Sequence, residues 1–237
     1  MIERVLFDKG AINYMSEEFY LTERGVKVLQ WERNVFYQTP GIKELFYKEK
    51  EVLIKNLTDE SVVLDIGCGL GTHLTLISKY CKEIIGIDHS EAILKHCRKE
   101  TKNLINVKTF NMKAKQLEFP DSCFDQTNCM FNTLGNMKEP MPVLSEMARI
   151  IKPSGHVIFS LYNLQSIPER LEYYHKTGLP DAHVEDGAVT ASNYYSRSYS
   201  EEEIKNMCQQ TDLNVDIHKT RIAYVCDAVK KNTVSKE

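Results

Sequence analysis

The chain has 237 residues, 42% hydrophobic, 27% charged and 9% aromatic, long enough to bury about 70% of its unfolded surface in one large core. Eleven glycines and seven prolines exclude collagen-like and low-complexity chains. A formal net charge of −3 excludes a strong electrostatic grip on nucleic acid or anionic lipid.

No apolar run approaches the roughly 20 residues that a membrane span needs, and Met1-Ile2-Glu3-Arg4 opens no leader pattern. The seven cysteines are scattered, with no C-x-x-C pair. They read as reduced thiols of a cytoplasmic protein, with neither a disulfide framework nor a metal site.

Residues 1–57 form an expected N-terminal helical cap. Val26, Leu29, Val35 and Phe36 recur around Trp31, and Ile42, Leu45, Phe46, Leu53 and Leu57 recur after the break at Pro40-Gly41. Residues 58–237 form the main domain. Its texture changes at Ser61–Ile66, a β-branched run ending in glycines that reads as a buried parallel strand. Further strands are expected at 83–88, 105–110, 124–130 and, after the Lys152-Pro153-Ser154-Gly155 turn, 156–162. Helices fall at 90–98, capped by Ser90, and at 142–151. This alternation predicts right-handed βαβ units in an α/β, Rossmann-like, doubly wound and mostly parallel sheet. Residues 163–197 break the rhythm as a polar, aromatic insertion with no clear strand or helix period. Ser200 with Glu203 forms a capping box, and strands at 213–218 and 222–229 complete seven with an antiparallel edge hairpin.

The informative stretch is Asp65-Ile66-Gly67-Cys68-Gly69-Leu70-Gly71-Thr72. A glycine-rich turn from strand to helix lets a ligand approach the backbone. The dinucleotide pattern G-x-G-x-x-G fails, because its third glycine position is Thr72. Asp65 stands just before the loop, where a carboxylate repels a pyrophosphate and suits an ammonium group. Asp88 lies 21 residues beyond Gly67, the spacing of a ribose-hydroxyl acceptor. A ribose at Asp88 and a cation near Asp65, with no diphosphate between, fit S-adenosylmethionine.

On these residues the chain from about 50 to 228 resembles the class I S-adenosylmethionine-dependent methyltransferases. Asp65–Gly71 matches their D-x-G-x-G-x-G loop and Ile85-Gly86-Ile87-Asp88 their ribose-binding acid. Phe119–Asp125 and Glu146–Gly155 resemble the stretches leading into strands 4 and 5. The resemblance implies S-adenosylmethionine as cofactor, S-adenosylhomocysteine as product, and cofactor contacts from Asp65, Gly67, Cys68, Gly69, Gly71, Asp88, Met112, Lys113, Ala114 and Met130, with Tyr37 either closing over the cofactor or only covering the core and His89 either stacking near the adenosine or simply exposed. One departure stands out. The family usually has an Asp after strand 3 that accepts from the adenine amine, and the aligned residue is Lys113, which cannot accept. The adenine is then left to backbone groups near Lys113 and Ala114 and to Met112, or Lys113 simply faces solvent.

Methyl transfer draws much of its catalysis from alignment and exclusion of water, and the sequence carries no visible triad. The stretch after strand 4, Met130-Phe131-Asn132-Thr133-Leu134-Gly135-Asn136, lacks the Asn/Asp-Pro-Pro-aromatic tetrapeptide of nucleic-acid amino-methylating enzymes. It resembles small-molecule N-methyltransferases of the glycine and sarcosine type. Asn132 is the candidate for touching cofactor or acceptor, or else it caps the next turn. In the insertion, Tyr194 and Tyr195 suit a cationic amine and Arg197 a carboxylate, unless the tyrosines only pack. The expectation is a small-molecule substrate, an amine being slightly favoured over oxygen or sulfur, with no nucleic-acid or membrane partner. A tRNA or other macromolecular methyltransferase and a catalytically silent cofactor-binding subunit are the alternatives.

Overall fold

A computed structural model describes residues 20–35, 39–176, 179–191 and 194–230. Two helices lead, α1 (Glu23–Val35) and α2 (Pro40–Lys55). There follow β1 (Val62–Ile66), α3 (Thr72–Ile77), β2 (Glu83–Asp88), α4 (Glu91–Thr101), β3 (Val107–Asn111), β4 (Phe124–Cys129), α5 (Met141–Ile150) and β5 (Ile151–Tyr162). Then come α6 (Ile167–Lys176), β6 (His183–Glu185), β7 (Ala188–Ala191), β8 (Tyr194–Arg197), α7 (Glu201–Gln210), β9 (Leu213–Lys219) and β10 (Ala223–Lys230).

The main sheet has seven strands in the order β3-β2-β1-β4-β5-β10-β9. β1 through β5 pair in parallel, while β10 runs antiparallel to both β5 and β9. This is the doubly wound, edge-hairpin α/β arrangement expected from the alternation of elements. Apolar stripes cover both faces. Ile42, Leu45, Val52 and Leu53 of α2 join Leu74, Ile77, Leu94 and Cys97 on one side. Val143, Leu144, Met147, Ile204, Met207 and Cys208 cover the other. The leading helix α2 therefore shares the main core.

Local chemistry sets most boundaries. Ser90 accepts the Ile93 N–H, and Ser200 with Glu203 closes the capping box on α7. Three expectations change. β3 begins at Val107, because Ile105 is fully exposed beyond the helix turn. β5 begins at Ile151, because the 152–155 turn is absorbed as a bulge: Ser154 takes φ 64° and the register shifts between Phe124 and Gln126. The insertion is not aperiodic but contains α6 and an antiparallel three-stranded sheet, β6-β7-β8. α6 buries Arg170, Tyr173 and Tyr174, an i, i+3, i+4 stripe hidden in the sequence because its first member is charged. Gly178 of the insertion, and Tyr37 of the expected cofactor set, lie outside the described residues.

Candidate functional site

Strands β1, β2 and β4 end together beneath one cavity of about 580 Å³, within the range of small-molecule sites. Its position follows from the topology: β1 and β4 are neighbours whose connections leave to opposite sides, and a crevice opens at such a switch point.

The floor is the glycine loop. Gly67, Gly69 and Gly71 all take positive φ, at 68°, 53° and 82°, the left-handed region where a Cβ is strained. At Gly69 a Cβ would meet nothing closer than the Gly67 carbonyl at 3.9 Å, so the backbone faces open space. At Gly71 a Cβ would sit 2.9 Å from Cys97 Sγ, so this glycine seats α3 against α4 and is not on the cavity wall.

Two acids frame the loop. Asp88 ends β2, where its Oδ2 accepts the Gly69 N–H at 3.2 Å and its Oδ1 the Ser90 N–H at 3.0 Å. Asp65 ends β1 almost wholly buried, with an Oδ2 that has no hydrogen-bond partner. Burial raises its pKa to about 7; His73 opposes the shift, while Glu49 and Asp88 add to it. A buried carboxyl with an unpaired oxygen in a cavity is a seat for a cation.

Beyond the acids, Ile87, His89, Met112, Lys113, Ala114 and Lys115 line one end of the cavity. His89 Nδ1 lies 3.4 Å from Asp88 Oδ1. Lys113 reaches the wall but is exposed, and Lys115 pairs with Glu139 at 3.2 Å. The other end is aromatic: Phe131, Tyr162, Tyr173, Tyr174 and Tyr194. Tyr174 meets Tyr194 edge-on at 5.0 Å between ring centres and Tyr173 at 5.5 Å.

Of the expected cofactor residues, Asp65, Gly67, Cys68, Gly69, Asp88, His89, Met112, Lys113, Ala114 and Met130 converge on this cavity. The expected acceptor residues divide. Tyr194 lines it, whereas Asn132, Tyr195 and Arg197 are not on its wall. Asn132, at φ 58°, is buried and occupied within the protein. Its Nδ2 donates to Ser196 Oγ at 2.9 Å and its Oδ1 accepts the Tyr162 N–H at 2.9 Å, fastening β8 to β5. Arg197 pairs with Glu203 at 2.5 Å and lies over the Tyr199 ring. The Cys68 thiol is held well above the ordinary thiol value by its hydrogen bond with Cys97 and by burial, so it offers no thiolate.

The sequence reading missed Glu49 and His73. Glu49, on α2, is fully buried. Its Oε2 lies 3.1 Å from His73 Nε2, and its Oε1 accepts from the Phe131 N–H at 3.0 Å and the Ser160 hydroxyl at 2.5 Å. The signal was present: Ile42, Leu45, Phe46, Glu49, Val52 and Leu53 form one helical stripe with an acid in it.

Residues 63–155, which carry the loop, both acids and β1 to β4, match the family profile described as "Methyltransferase domain". This stretch is similar to methyltransferase domains. A demethylmenaquinone methyltransferase from Bacillus licheniformis is 30% identical over 115 residues, 47% of this chain and 49% of that protein. The chain thus matches about half the length of this curated relative. Solved structures share the fold. An S-adenosylmethionine-dependent methyltransferase from Aquifex aeolicus superposes with a TM-score of 0.62 at 19% identity, covering 86% of this chain and 98% of that one. A Haemonchus contortus phosphoethanolamine N-methyltransferase, bound to phosphomonomethylethanolamine and S-adenosylhomocysteine, gives 0.67 at 14% identity, covering 90% and 59%.

The methyltransferase cofactor fits the residues present. Asp65, with its unpaired oxygen, suits the ammonium group, the open backbone at Gly69 allows close approach, and Asp88 keeps acceptor capacity for ribose hydroxyls. Met112 and Ala114 offer apolar contact to the adenine. When bound, S-adenosylmethionine supplies an electrophilic methyl group.

Proposed function

We propose that the protein is an S-adenosylmethionine-dependent methyltransferase acting on a small molecule, with an amine nitrogen favoured over oxygen or sulfur as acceptor. One observation carries this reading. A single cavity joins a cofactor end, built on Asp65, Gly69 and Asp88, to an aromatic end walled by Phe131, Tyr162, Tyr173, Tyr174 and Tyr194. Ring faces suit a cationic or flat apolar acceptor, and a walled cavity excludes water from the transfer. The name of the Bacillus relative, a demethylmenaquinone methyltransferase, agrees with a small acceptor.

The chain's own residues then divide the work. Asp65 and Asp88 hold the cofactor, the loop backbone permits its approach, and the tyrosines orient the acceptor. Residues 163–197 act as the acceptor-specificity lid. Asn136, within the stretch that resembles glycine and sarcosine N-methyltransferases, also lines the cavity and supports that likeness.

The test is transfer of labelled methyl from S-adenosylmethionine into a cell extract filtered to below a few kilodaltons, beside a total RNA fraction. Label in small molecules supports the proposal. Label in RNA alone makes the protein a macromolecular methyltransferase, and no label in either makes it a silent binding subunit.

A further inference from the structure

The pair that the cofactor reading leaves unexplained is Glu49 with His73. Glu49 is fully buried, yet among the described residues no lysine or arginine bonds to it; its partners there are the His73 ring, the Phe131 N–H and the Ser160 hydroxyl. Burying a carboxylate is costly unless it is hydrogen-bonded, and the His73 ring N–H is one of the three groups placed to donate to it. His73 is 6% exposed and lines the cavity. Its Nε2 faces Glu49, while its Nδ1 makes no hydrogen bond among the described residues. The ring lies 5.0 Å from Phe131 and 6.0 Å from Phe46, between aromatic walls that shield the pair from water. A carboxylate behind one imidazole nitrogen fixes the neutral tautomer, with the proton on Nε2 and the Nδ1 lone pair open to the cavity.

We propose that His73, oriented by Glu49, is the general base of this site, and that the methyl acceptor is a small molecule whose reacting atom arrives as O–H, S–H or N–H. The inference rests on the methyl-transfer reading. As the acceptor's electron pair forms the bond to the methyl carbon, the methyl–sulfur bond breaks and its pair passes to sulfur. The sulfonium becomes a neutral thioether. The acceptor proton passes to Nδ1, and Glu49 balances the imidazolium. His73 touches the acceptor; Glu49 acts through it as a positioning residue.

The electrostatics agree with that task. Burial pulls the His73 pKa down, but the hydrogen bond and charge of Glu49, with Asp65 adding, raise it on balance. The charged groups facing the ring are Glu49 from α2 and Asp65 from β1; its other close neighbours, Phe46 and Phe131, are rings. A base whose pKa is held above that of a free imidazole accepts a proton more readily.

The experiment uses the full chain labelled with ¹⁵N-histidine and saturated with S-adenosylhomocysteine, followed by NMR from pH 5.5 to 9, with His73→Gln to assign the resonance. The expected result is a ring that titrates in that range, with its neutral form protonated on Nε2. Glu49→Gln should invert the tautomer, because its amide donates to Nε2 and drives the proton to Nδ1. A neutral wild-type ring protonated on Nδ1, or a ring that stays charged throughout, overturns the proposal. With saturating S-adenosylmethionine and the low-mass extract as acceptor, kcat should rise with pH through the His73 titration. His73→Gln should lower kcat about 100-fold or more, with S-adenosylhomocysteine affinity within threefold. Unchanged kcat in His73→Gln also overturns it. Failure of the wild-type protein to bind S-adenosylhomocysteine instead removes the cofactor reading beneath it, while the free protein's tautomer still judges the dyad.

Discussion

Glu49 Oε1 accepts the Phe131 N–H at 3.0 Å, joining α2 to the turn that follows β4. Phe131 takes φ 51° and Asn132 φ 58°, so the turn holds two consecutive non-glycine residues in the left-handed region. Such backbone persists where its surroundings over-determine it. Glu49 grips its amide from one side, and Asn132 bonds Ser196 and Tyr162 from the other. Glu49→Ala strands the His73 ring, the Phe131 N–H and the Ser160 hydroxyl in the interior. Removing one member of a buried pair costs about 3–5 kcal/mol, and urea unfolding should show a loss of that order in the ligand-free protein. A change below about 0.5 kcal/mol would place Glu49 at an ordinary surface position in solution.

Asp65 links binding to protons. Its folded pKa lies at about 7, above the ordinary 3.8. The group therefore favours the ligand-free fold fully below pH 3.8, and that contribution is lost as pH rises through 7. A bound cation reverses the preference and drives the proton off. S-adenosylhomocysteine affinity should weaken as pH falls from 7.5 to 5.5, with proton release near pH 6 visible as buffer-dependent binding enthalpy. Asp65→Asn should abolish this dependence, weaken binding and raise the melting temperature of the free protein at pH 8. A pH-independent wild-type affinity would show an Asp65 already ionised.

Asp88 has two duties. It accepts the Gly69 and Ser90 N–H groups, so Asp88→Ala frees two loop donors at a cost of about 1–3 kcal/mol each where they stay buried. The same change removes the charged acceptor proposed for the ribose hydroxyls. Isothermal titration should show at least a tenfold loss of S-adenosylhomocysteine affinity in a protein that still unfolds cooperatively. Retained affinity in Asp88→Ala would make the residue a cap for the loop alone.

Tyr194 distinguishes an acceptor wall from a structural cover. It is buried against Tyr174, to which its hydroxyl donates at 3.0 Å. Tyr194→Ala should reduce turnover while S-adenosylmethionine affinity stays within about threefold, because the change falls at the aromatic end of the cavity. Limited proteolysis in the presence of cofactor and acceptor should slow any cleavage between residues 164 and 192. A variant that melts earlier with unaltered turnover would assign the tyrosines to packing.

The seven-stranded sheet, the glycine loop and both acids were legible because each has a local cause: β-branched runs, positive-φ glycines and an acid at a strand end. Lys113, departing from the family's acid, is exposed and also lines the cavity, so its two readings stay open. The acceptor end was harder to read. Asn132 carries a polar amide that suits a ligand, but a left-handed turn and the neighbouring strands β8 and β5 consume its hydrogen bonds. Arg170 breaks the apolar stripe of α6, yet it is 1% exposed, bonded to Ser196 and Ser198 and stacked 4.2 Å from the Tyr162 ring. Glu49 and His73 stand 24 residues apart, on two helices that only the folded sheet brings together. Long-range pairing of this kind leaves no local period to detect.

The most direct measurement is thermal unfolding of the protein with S-adenosylmethionine, S-adenosylhomocysteine and NAD in turn. A ligand at 100 times its Kd stabilises the fold by about 2.7 kcal/mol. The two adenosyl ligands should raise the melting temperature by several degrees and Asp88→Ala should cancel most of the rise, with NAD without effect. A rise with NAD and none with S-adenosylmethionine would contradict the account at its centre.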